Sequence, residues 1–581
     1  MEIKLYDHYY VNKSGVDQFP VPEVEFELNA AKNDAVFASL LVTVDDYATL
    51  SVGTNPAFSK RGIYDNYRVE AVCDAPEVSV ECKIIGKLPD DAGVETADII
   101  LNQDYIELER SFMAVGQQVM ILCNVLKEAK AGKYTVTIRV YSSRGFAAEK
   151  LIKTYELPLH VFDYTMPDTK DYRFHLDLWQ HNANIARKHD VRLYSDEHFE
   201  VIENYVKTLG ALGQKAVTVI ASEIPWSGQN VHKVTNYPTD MYEYNIIRVT
   251  KKDGKFEYDY SAMQRYIDLC FANGIDREIE VFGLINIWND PVNGYGKVYE
   301  DDPDAVRIRY YDADEGIFRY MDSNEQIADY VAALERYFMD TDQLKYVQIV
   351  ADEPADVEKY RNSLNRLHAA APNFVYKVAI NHIEFIEEFG DYISDIVPTI
   401  NFAADKAEYL SKRAKSGKGR TCLYVCCSPD YPNTFLSSPA YESEVIGMFI
   451  HKIGLDGFLR WNYTVWPENP RERLSFRAPS WKAGDTNFVY PAHNGKVLLS
   501  LRWYNLKRAV EDYELLSRVS EIAPEIVEQV YDTVFVEKDP AAFKVTSYAM
   551  AGNKLPQELY SVNPADYRKV REMLLTALEG K

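Results

Sequence analysis

Between Val21 and Phe162, apolar residues fall in short alternating or β-branched runs. Glu23–Leu28, Ser79–Ile85, Gln118–Leu122, Tyr134–Tyr141 and Lys153–Leu157 are such runs, separated by Gly, Pro, Asn and Asp turns. Helical periodicity is nearly absent, so the spacing predicts an N-terminal β-sandwich over residues 1–166. After Met166-Pro167-Asp168 the rhythm changes. Buried-looking runs at Phe174–Trp179, Ala216–Ala221, Glu278–Ile285, Tyr346–Ala351, Val375–Ile380, Ile396–Asn401, Thr421–Val425 and Gly457–Trp461 read as strands. They alternate with amphipathic stretches such as Asp196–Leu212, Tyr260–Asn273, Asn324–Phe338, Val357–Ala371, Ile383–Phe389, Lys406–Lys415 and Glu442–Ile453. Eight strand–helix units in succession predict a (β/α)8 TIM barrel over residues 167–515. From about Val510 the pattern is helical with loops, which predicts an eighth helix and a small C-terminal appendage over residues 516–581.

Composition changes this picture little. The chain has 581 residues, and 64 basic against 88 acidic side chains give a net charge of −24. So acidic a surface repels phosphate backbones and anionic lipid, so neither nucleic acid nor a membrane is an expected partner. Met1 to Val11 carries no basic and then apolar segment, which predicts a cytoplasmic protein without a signal peptide. Seven scattered cysteines fit reduced structural thiols better than a disulfide framework or a zinc site. No cofactor or metal is expected. Asp312-Ala-Asp314-Glu-Gly316 has a calcium-loop look, but its Gly comes too early and the twelfth-position Glu is missing.

A (β/α)8 barrel works at the C-terminal ends of its strands, so the residues there are the candidates for chemistry. The fourth strand ends in Asp352-Glu353-Pro354, two carboxylates at the rim. Adjacent strand residues point to opposite faces, so both acids reach one pocket only if the pleat ends here. Neighbouring carboxylates leave no room for a sugar between nucleophile and acid. They fit substrate assistance, in which the sugar's own 2-acetamido group attacks while one carboxylate steadies it and the other protonates the leaving oxygen. The plain alternative is that Asp352 caps the next helix and Glu353 is a surface charge. Other strand ends supply Trp179, His181, Glu223, Trp226, Trp288, Asn289, Asn381, Tyr424, Tyr431, Asn433, Arg460, Trp461 and Trp466 as sugar contacts. Aromatic rings beside amide and charged groups suit a neutral, hydroxyl-rich ligand. Taken singly, each has a structural reading in barrel packing or ion pairing.

Several ordered motifs carry a resemblance. His175-Leu-Asp-Leu-Trp-Gln-His181, Pro225-Trp-Ser-Gly-Gln229, Ala351-Asp-Glu-Pro354, Cys426-Cys-Ser-Pro-Asp-Tyr-Pro-Asn433, Gly457-Phe-Leu-Arg-Trp461, Gly484-Asp-Thr-Asn-Phe-Val-Tyr-Pro491 and Glu511-Asp-Tyr513 resemble glycoside hydrolase family 123 and its DUF4091 catalytic domain. The resemblance implies a retaining exo-β-N-acetylgalactosaminidase working through an oxazolinium intermediate. It also implies that Asp352 assists the acetamido group and Glu353 is the acid/base. Pro491-Ala492 and Pro354 depart from the family's Pro-Gly and Arg, which leaves fine specificity open without removing a catalytic group. A β-N-acetylglucosaminidase, a broad β-N-acetylhexosaminidase and, in another class, a non-catalytic glycan-binding protein are the alternatives. Aglycone and oligomeric state are not legible.

Overall fold

The computed structural model describes residues 1–14, 25–54, 64–108, 115–225, 242–285, 306–354, 356–389, 392–476, 481–544 and 553–581. Its N-terminal part is built of two six-stranded sheets. One runs Glu2–Tyr6, Asp34–Val44, Val115–Val125, Val78–Pro89, Glu95–Ile100, Lys13–Ser14; the other runs Leu28–Lys32, Lys150–Thr165, Gly132–Arg144, Asp65–Cys73, Ala48–Val52, Tyr105–Leu108. Leu40, Val42, Ile84, Val119 and Ile121 of the first meet Val69, Ile138 and Val140 of the second in one apolar cluster. The run Glu23–Leu28 departs from expectation. Residues 23 and 24 lie outside the described residues, Glu25 to Glu27 lie outside any strand, and pairing begins only where Leu28 faces Leu159. Alternating glutamates there imitate the strand period without a partner strand to hold it.

Eight parallel strands follow: His175–Leu178, Ala216–Ile220, Glu278–Phe282, Val347–Asp352, Val375–Ile380, Asp395–Pro398, Cys422–Tyr424 and Gly457–Arg460. The second to sixth pair in chain order, and the first pairs with the eighth and the eighth with the seventh. Parallel bridges Leu176 to Gln214 and Ile396 to Thr421 span the two remaining gaps, so the strand order closes into a ring. Helices Asp196–Leu212, Ser261–Ala272, Asn324–Asp340, Val357–Ala370, Glu384–Phe389, Ala407–Lys415, Glu442–Lys452 and Leu501–Ile522 alternate with the strands. Among the described residues no helix is long and apolar enough to cross a membrane.

Three local features differ from the sequence expectation. The sixth strand stops at Pro398, which has no N–H to continue a ladder, and the chain turns into helix Ile400–Asp405 instead of running on to Asn401. The eighth helix starts at Leu501, where Ser500 Oγ accepts from the Trp503 amide at 2.9 Å, rather than near Val510. A four-stranded sheet (Arg248–Lys252, Lys255–Asp259, Arg309–Asp312, Ile317–Tyr320) rises between the second and fourth ring strands. Its first hairpin turns on Asp253-Gly254, both with positive φ of 50° and 73°. The calcium-like Asp312–Gly316 is the turn of its second hairpin, with Asp312 Oδ1 accepting from the amides of Asp314 and Glu315.

Alternation divides each ring strand into two faces. Leu176, Val217, Ile279, Ile349, Val378 and Phe458 pack outward into the cluster shared with the helices. Trp179, Ile220, Phe282, Val350, Ala379, Val397, Tyr424 and Leu459 take the opposite phase and meet in a separate cluster inside the ring. The same inward phase, nearer the strand starts, carries charge. Lys377 Nζ lies 2.7 Å from Asp177, 2.8 Å from Glu280 and 3.1 Å from Glu278. Glu278 also meets His175 Nε2 and Arg420 Nη1, each at 2.8 Å, and Arg420 reaches Asp395 at 3.0 Å. This charged floor is buried, with Asp177, Glu278, Glu280 and Lys377 at most 1 % exposed. At the chain's end, Arg571 on helix Pro564–Leu578 bonds Asp34 of the first sheet and Asp512 of the eighth helix, both at 2.7 Å. One buried guanidinium thus ties three parts of the chain together.

Candidate active site

Asp352 is the last residue of the fourth strand and shares the inward phase of Gln348 and Val350. It pairs in register with Ala379, so its side chain stands at the C-terminal mouth of the ring. Continued alternation would turn Glu353 outward toward the helices. It does not, because Glu353 adopts φ = +47°, the left-handed region that residues with a Cβ seldom enter. Such a conformation costs on the order of 1–3 kcal/mol and concentrates at functional sites. The Glu353 amide still donates to Ala379 O at 3.0 Å, so the twist is local. Its carboxylate accepts a hydrogen bond from Tyr424 Oη, an inward residue of the seventh strand. Helix Val357–Ala370 is capped by Asp356, whose side chain accepts from the Lys359 amide at 2.9 Å. Asp352 is therefore not needed as that helix's cap.

Electrostatics separate Glu353 from an ordinary surface carboxylate. Burial pushes the Glu353 carboxyl up from its usual range, partly offset by the Tyr424 hydrogen bond and by His382, with Asp485 adding to the rise. Burial, followed by the Glu353 charge, pushes the Tyr424 phenol well above its ordinary value, so it stays a donor. Around the acids the mouth is aromatic. Trp179 meets Phe282 edge-on at 4.8 Å, and Trp461 leans on Trp481 at 5.0 Å. Trp461 is fixed from behind, since its Nε1 donates to Asp485 Oδ1 at 3.2 Å. The same oxygen takes Arg460 Nη2 at 2.8 Å, and Arg460 Nη1 reaches Asn433 Oδ1 at 2.7 Å. Asn433 in turn donates to the carbonyls of Cys426 and Pro429 at 3.0 and 2.6 Å, which pins the loop after the seventh strand.

The mouth thus sets two adjacent acids, one on a strained backbone, beside aromatic rings. The model of the family described as "Glycoside hydrolase 123, catalytic domain" matches residues 179–519. The chain belongs to glycoside hydrolase family 123. A solved structure of a family 123 glycoside hydrolase from Clostridium perfringens, studied for glycolipid glycan hydrolysis, is 16 % identical. The match covers 100 % of this chain and 96 % of that one with a TM-score of 0.72, so the two share a fold. The GH39 enzyme from Xanthomonas axonopodis is 12 % identical over 61 % of this chain and 67 % of its own, with a TM-score of 0.33, too loose to carry an argument. A comparison with curated proteins finds no match.

Within this family 123 glycosidase, the remaining rim residues divide. Tyr424, Trp461 and Asn381 stand at the mouth in the inward phase, and the Asn381 Oδ1 has no hydrogen-bond partner. Trp179 is 0 % exposed and belongs to the floor of the aromatic cluster. Arg460 and Asn433 are fully buried and brace the site from behind, with no surface from which to touch a sugar. His181 is buried too. Its Nε2 lies 3.2 Å from the Trp461 carbonyl, and burial lowers its pKa to about 3, so it is a neutral strut. Trp466 is 0 % exposed, donates to Val489 O at 2.7 Å and packs on Tyr205 of the helix layer, which makes it core rather than rim. Glu223 is held by Arg309 at 2.7 Å and by the hydroxyls of Tyr242 and Tyr320, a satisfied carboxylate in a separate cleft with Tyr194, Phe199 and Arg265. Tyr431 donates to Lys554 O at 3.0 Å, anchoring its loop to the C-terminal segment. Trp226, Trp288 and Asn289 lie outside the described residues. Sequence reasoning missed Asp485 and Trp481 as site residues. Asp485 sits inside the Gly484-Asp-Thr-Asn motif, but only the fold places it behind Trp461.

Proposed function

We propose that this glycoside hydrolase removes terminal β-linked N-acetylgalactosamine with retention of configuration, using the substrate's own acetamido group. The supporting observation is that Asp352 and the left-handed Glu353 reach one mouth from adjacent positions. In this reading the ring of strands is a (β/α)8 barrel over 167–515. The two N-terminal sheets form a sandwich over 1–166, and 516–581 is a helical appendage.

Glu353, whose protonated form burial favours, gives its proton to the glycosidic oxygen as the acetamido carbonyl oxygen attacks the anomeric carbon. The aglycone leaves as an alcohol and an oxazolinium ion remains. Asp352 accepts a hydrogen bond from the acetamido N–H and balances the developing positive charge. Glu353, now ionised, takes a proton from the incoming water, which opens the oxazolinium ring and restores the β configuration. Trp461 offers a flat face to the sugar, and Asn381 a free acceptor for a hydroxyl.

A panel of nitrophenyl β-glycosides in the galacto and gluco series, with and without the 2-acetamido group, tests the reading. Turnover should be confined to acetamido sugars and be faster for the galacto epimer. Equal cleavage of a plain β-galactoside would remove substrate assistance, and preference for the gluco epimer would reverse the specificity. Glu353→Gln should lose roughly 10²–10⁴-fold in kcat on poor leaving groups with the circular dichroism spectrum unchanged. Wild-type turnover by that variant would end the acid/base assignment.

A further inference from the structure

One end of the second N-terminal sheet carries apolar side chains that the core does not use. The strands Gly132–Arg144 and Lys150–Thr165 form a hairpin that turns at Gly145. At its tip Phe146 is 93 % exposed, and Leu151 and Ile152 beside it are exposed as well. The neighbouring strands reach the same level. Asp65 pairs with Arg144 and Ala48 with Asp65, so Tyr64 and Tyr47 stand just beyond them. Both tyrosines are half-exposed, with ring centroids 5.5 Å apart. This end of the sheets lies beside the mouth. Tyr47 is in the link from Val44, and Val44 pairs with Val115 at the end of the first sheet that also carries the turn 90–94. In that turn Asp91 Oδ2 accepts from the Ala483 amide at 2.7 Å, and Ala483 stands two residues past Trp481 of the mouth cluster.

Cations surround the apolar tip. Arg144, Lys150 and Lys153 are all exposed. The acids nearby are already engaged: Glu149 turns inward to Arg68 at 3.0 Å, Asp65 meets Arg144 at 3.7 Å, and Asp45 holds the terminal amine at 2.9 Å. Among the described residues no acid pairs with Lys150 or Lys153. In a chain of net charge −24, the tip is therefore a locally basic spot. A protruding hairpin end has no hollow for a small molecule. Its phenyl, phenol, aliphatic and cationic side chains are the kinds that settle at a lipid–water boundary, apolar parts in the acyl region and charged ends at the headgroups. We infer that this tip docks the glycosidase on a lipid bilayer surface. Phe146 and Leu151 enter the interface, and Arg144, Lys150 and Lys153 meet headgroup phosphates. Docking through the tip turns the mouth side of the molecule toward the bilayer.

Co-sedimentation of the full chain with vesicles of phosphatidylcholine containing about one-fifth phosphatidylglycerol tests the inference without any substrate. Wild type should sediment with the vesicles, and raising NaCl from about 0.05 to about 0.5 M should weaken the association. Absence of co-sedimentation overturns the inference. So does an association that salt strengthens, because the net negative charge rather than the basic tip would then govern the contact. Phe146→Ser should lower the vesicle partition coefficient roughly ten- to hundredfold, the worth of burying one phenyl group. Lys150→Glu should lower it roughly tenfold. Tyr392→Ser, an exposed aromatic just before the start of the sixth ring strand, should leave it unchanged. Binding that survives both tip substitutions, or that falls equally with Tyr392→Ser, overturns the site. Sedimentation velocity without lipid adds the competing occupant: self-association abolished by Phe146→Ser, with no vesicle binding, would give the tip to a second copy of the chain instead. No turnover is measured, so the result stands apart from the sugar specificity proposed above.

Discussion

The two ends of the strand ring are built from the same inward-facing phase and solve opposite problems. At the floor, Lys377 and the part-exposed Arg420 are surrounded by Asp177, Glu278, Glu280 and Asp395 at 2.7 to 3.1 Å, charge answering charge. At the mouth, Asp352 and Glu353 stand among aromatic rings. The one carboxyl whose partners are resolved there, Glu353, is met by a phenol rather than a cation. A buried carboxylate whose cations outweigh burial is held ionised, as Glu278 is, whereas one given only burial and a neutral donor tends to keep its proton. The floor is therefore suited to stability, and the mouth to the chemistry proposed for it.

Breaking the floor should have the largest effect. Lys377→Met strips the buried acids Asp177 and Glu278 of their shared cation and should cost about 3–5 kcal/mol in urea unfolding. A loss below about 1 kcal/mol would mean the floor is not held by charge pairing. The mouth responds differently. Asp352→Asn should lower kcat by roughly 10²–10³-fold while the unfolding midpoint stays put. Its near neighbour Asp356→Ala should do the reverse, costing about 1 kcal/mol of stability as a lost cap with kcat unaltered. An Asp352 variant that loses stability but not rate would collapse the distinction.

Within the floor the acids are not alike. Burial opposes ionisation of Glu278, but Lys377, His175 and Arg420 hold it below the usual carboxyl range. Burial and then Asp177 push Glu280 well above it. Folded Glu280 thus keeps its proton to higher pH than the unfolded chain does. The stability it contributes is present below the ordinary carboxyl range and declines as pH rises through that range toward its folded value. Glu280→Gln should flatten that decline, being more stable than wild type near pH 8 by thermal melts, about four units above an ordinary carboxyl pKa. A variant uniformly less stable at every pH would refute this. The smallest expected change is at Tyr424. Its hydrogen bond favours ionised Glu353, so Tyr424→Phe should raise the Glu353 pKa further and move the alkaline limb of kcat/KM to higher pH. An alkaline limb displaced to lower pH would contradict the assignment.

Much of the architecture was legible because period and punctuation agree. Val375–Ile380 and Asp196–Leu212 form over the residues their patterns mark. The inserted sheet left a signal that the eight-unit reading passed over, an Asp253-Gly254 turn between alternating runs. Rim membership was less legible, because a residue's distance from a strand end does not say which way it faces. Trp461 and Trp466 are five residues apart, yet one closes the mouth and the other packs against helices.

By itself, the sequence determined the strand and helix periods, the acid pair at a strand end and the ordered motifs that mark the family. Those properties are local along the chain, so they survive without knowledge of partners. The tertiary structure decided that Glu353 turns back to Tyr424, that Asp485 braces Trp461, and that Lys377 is ringed by carboxylates from two other strands. Each is a contact between residues at least 24 positions apart, where packing and burial rather than local propensity choose the conformation.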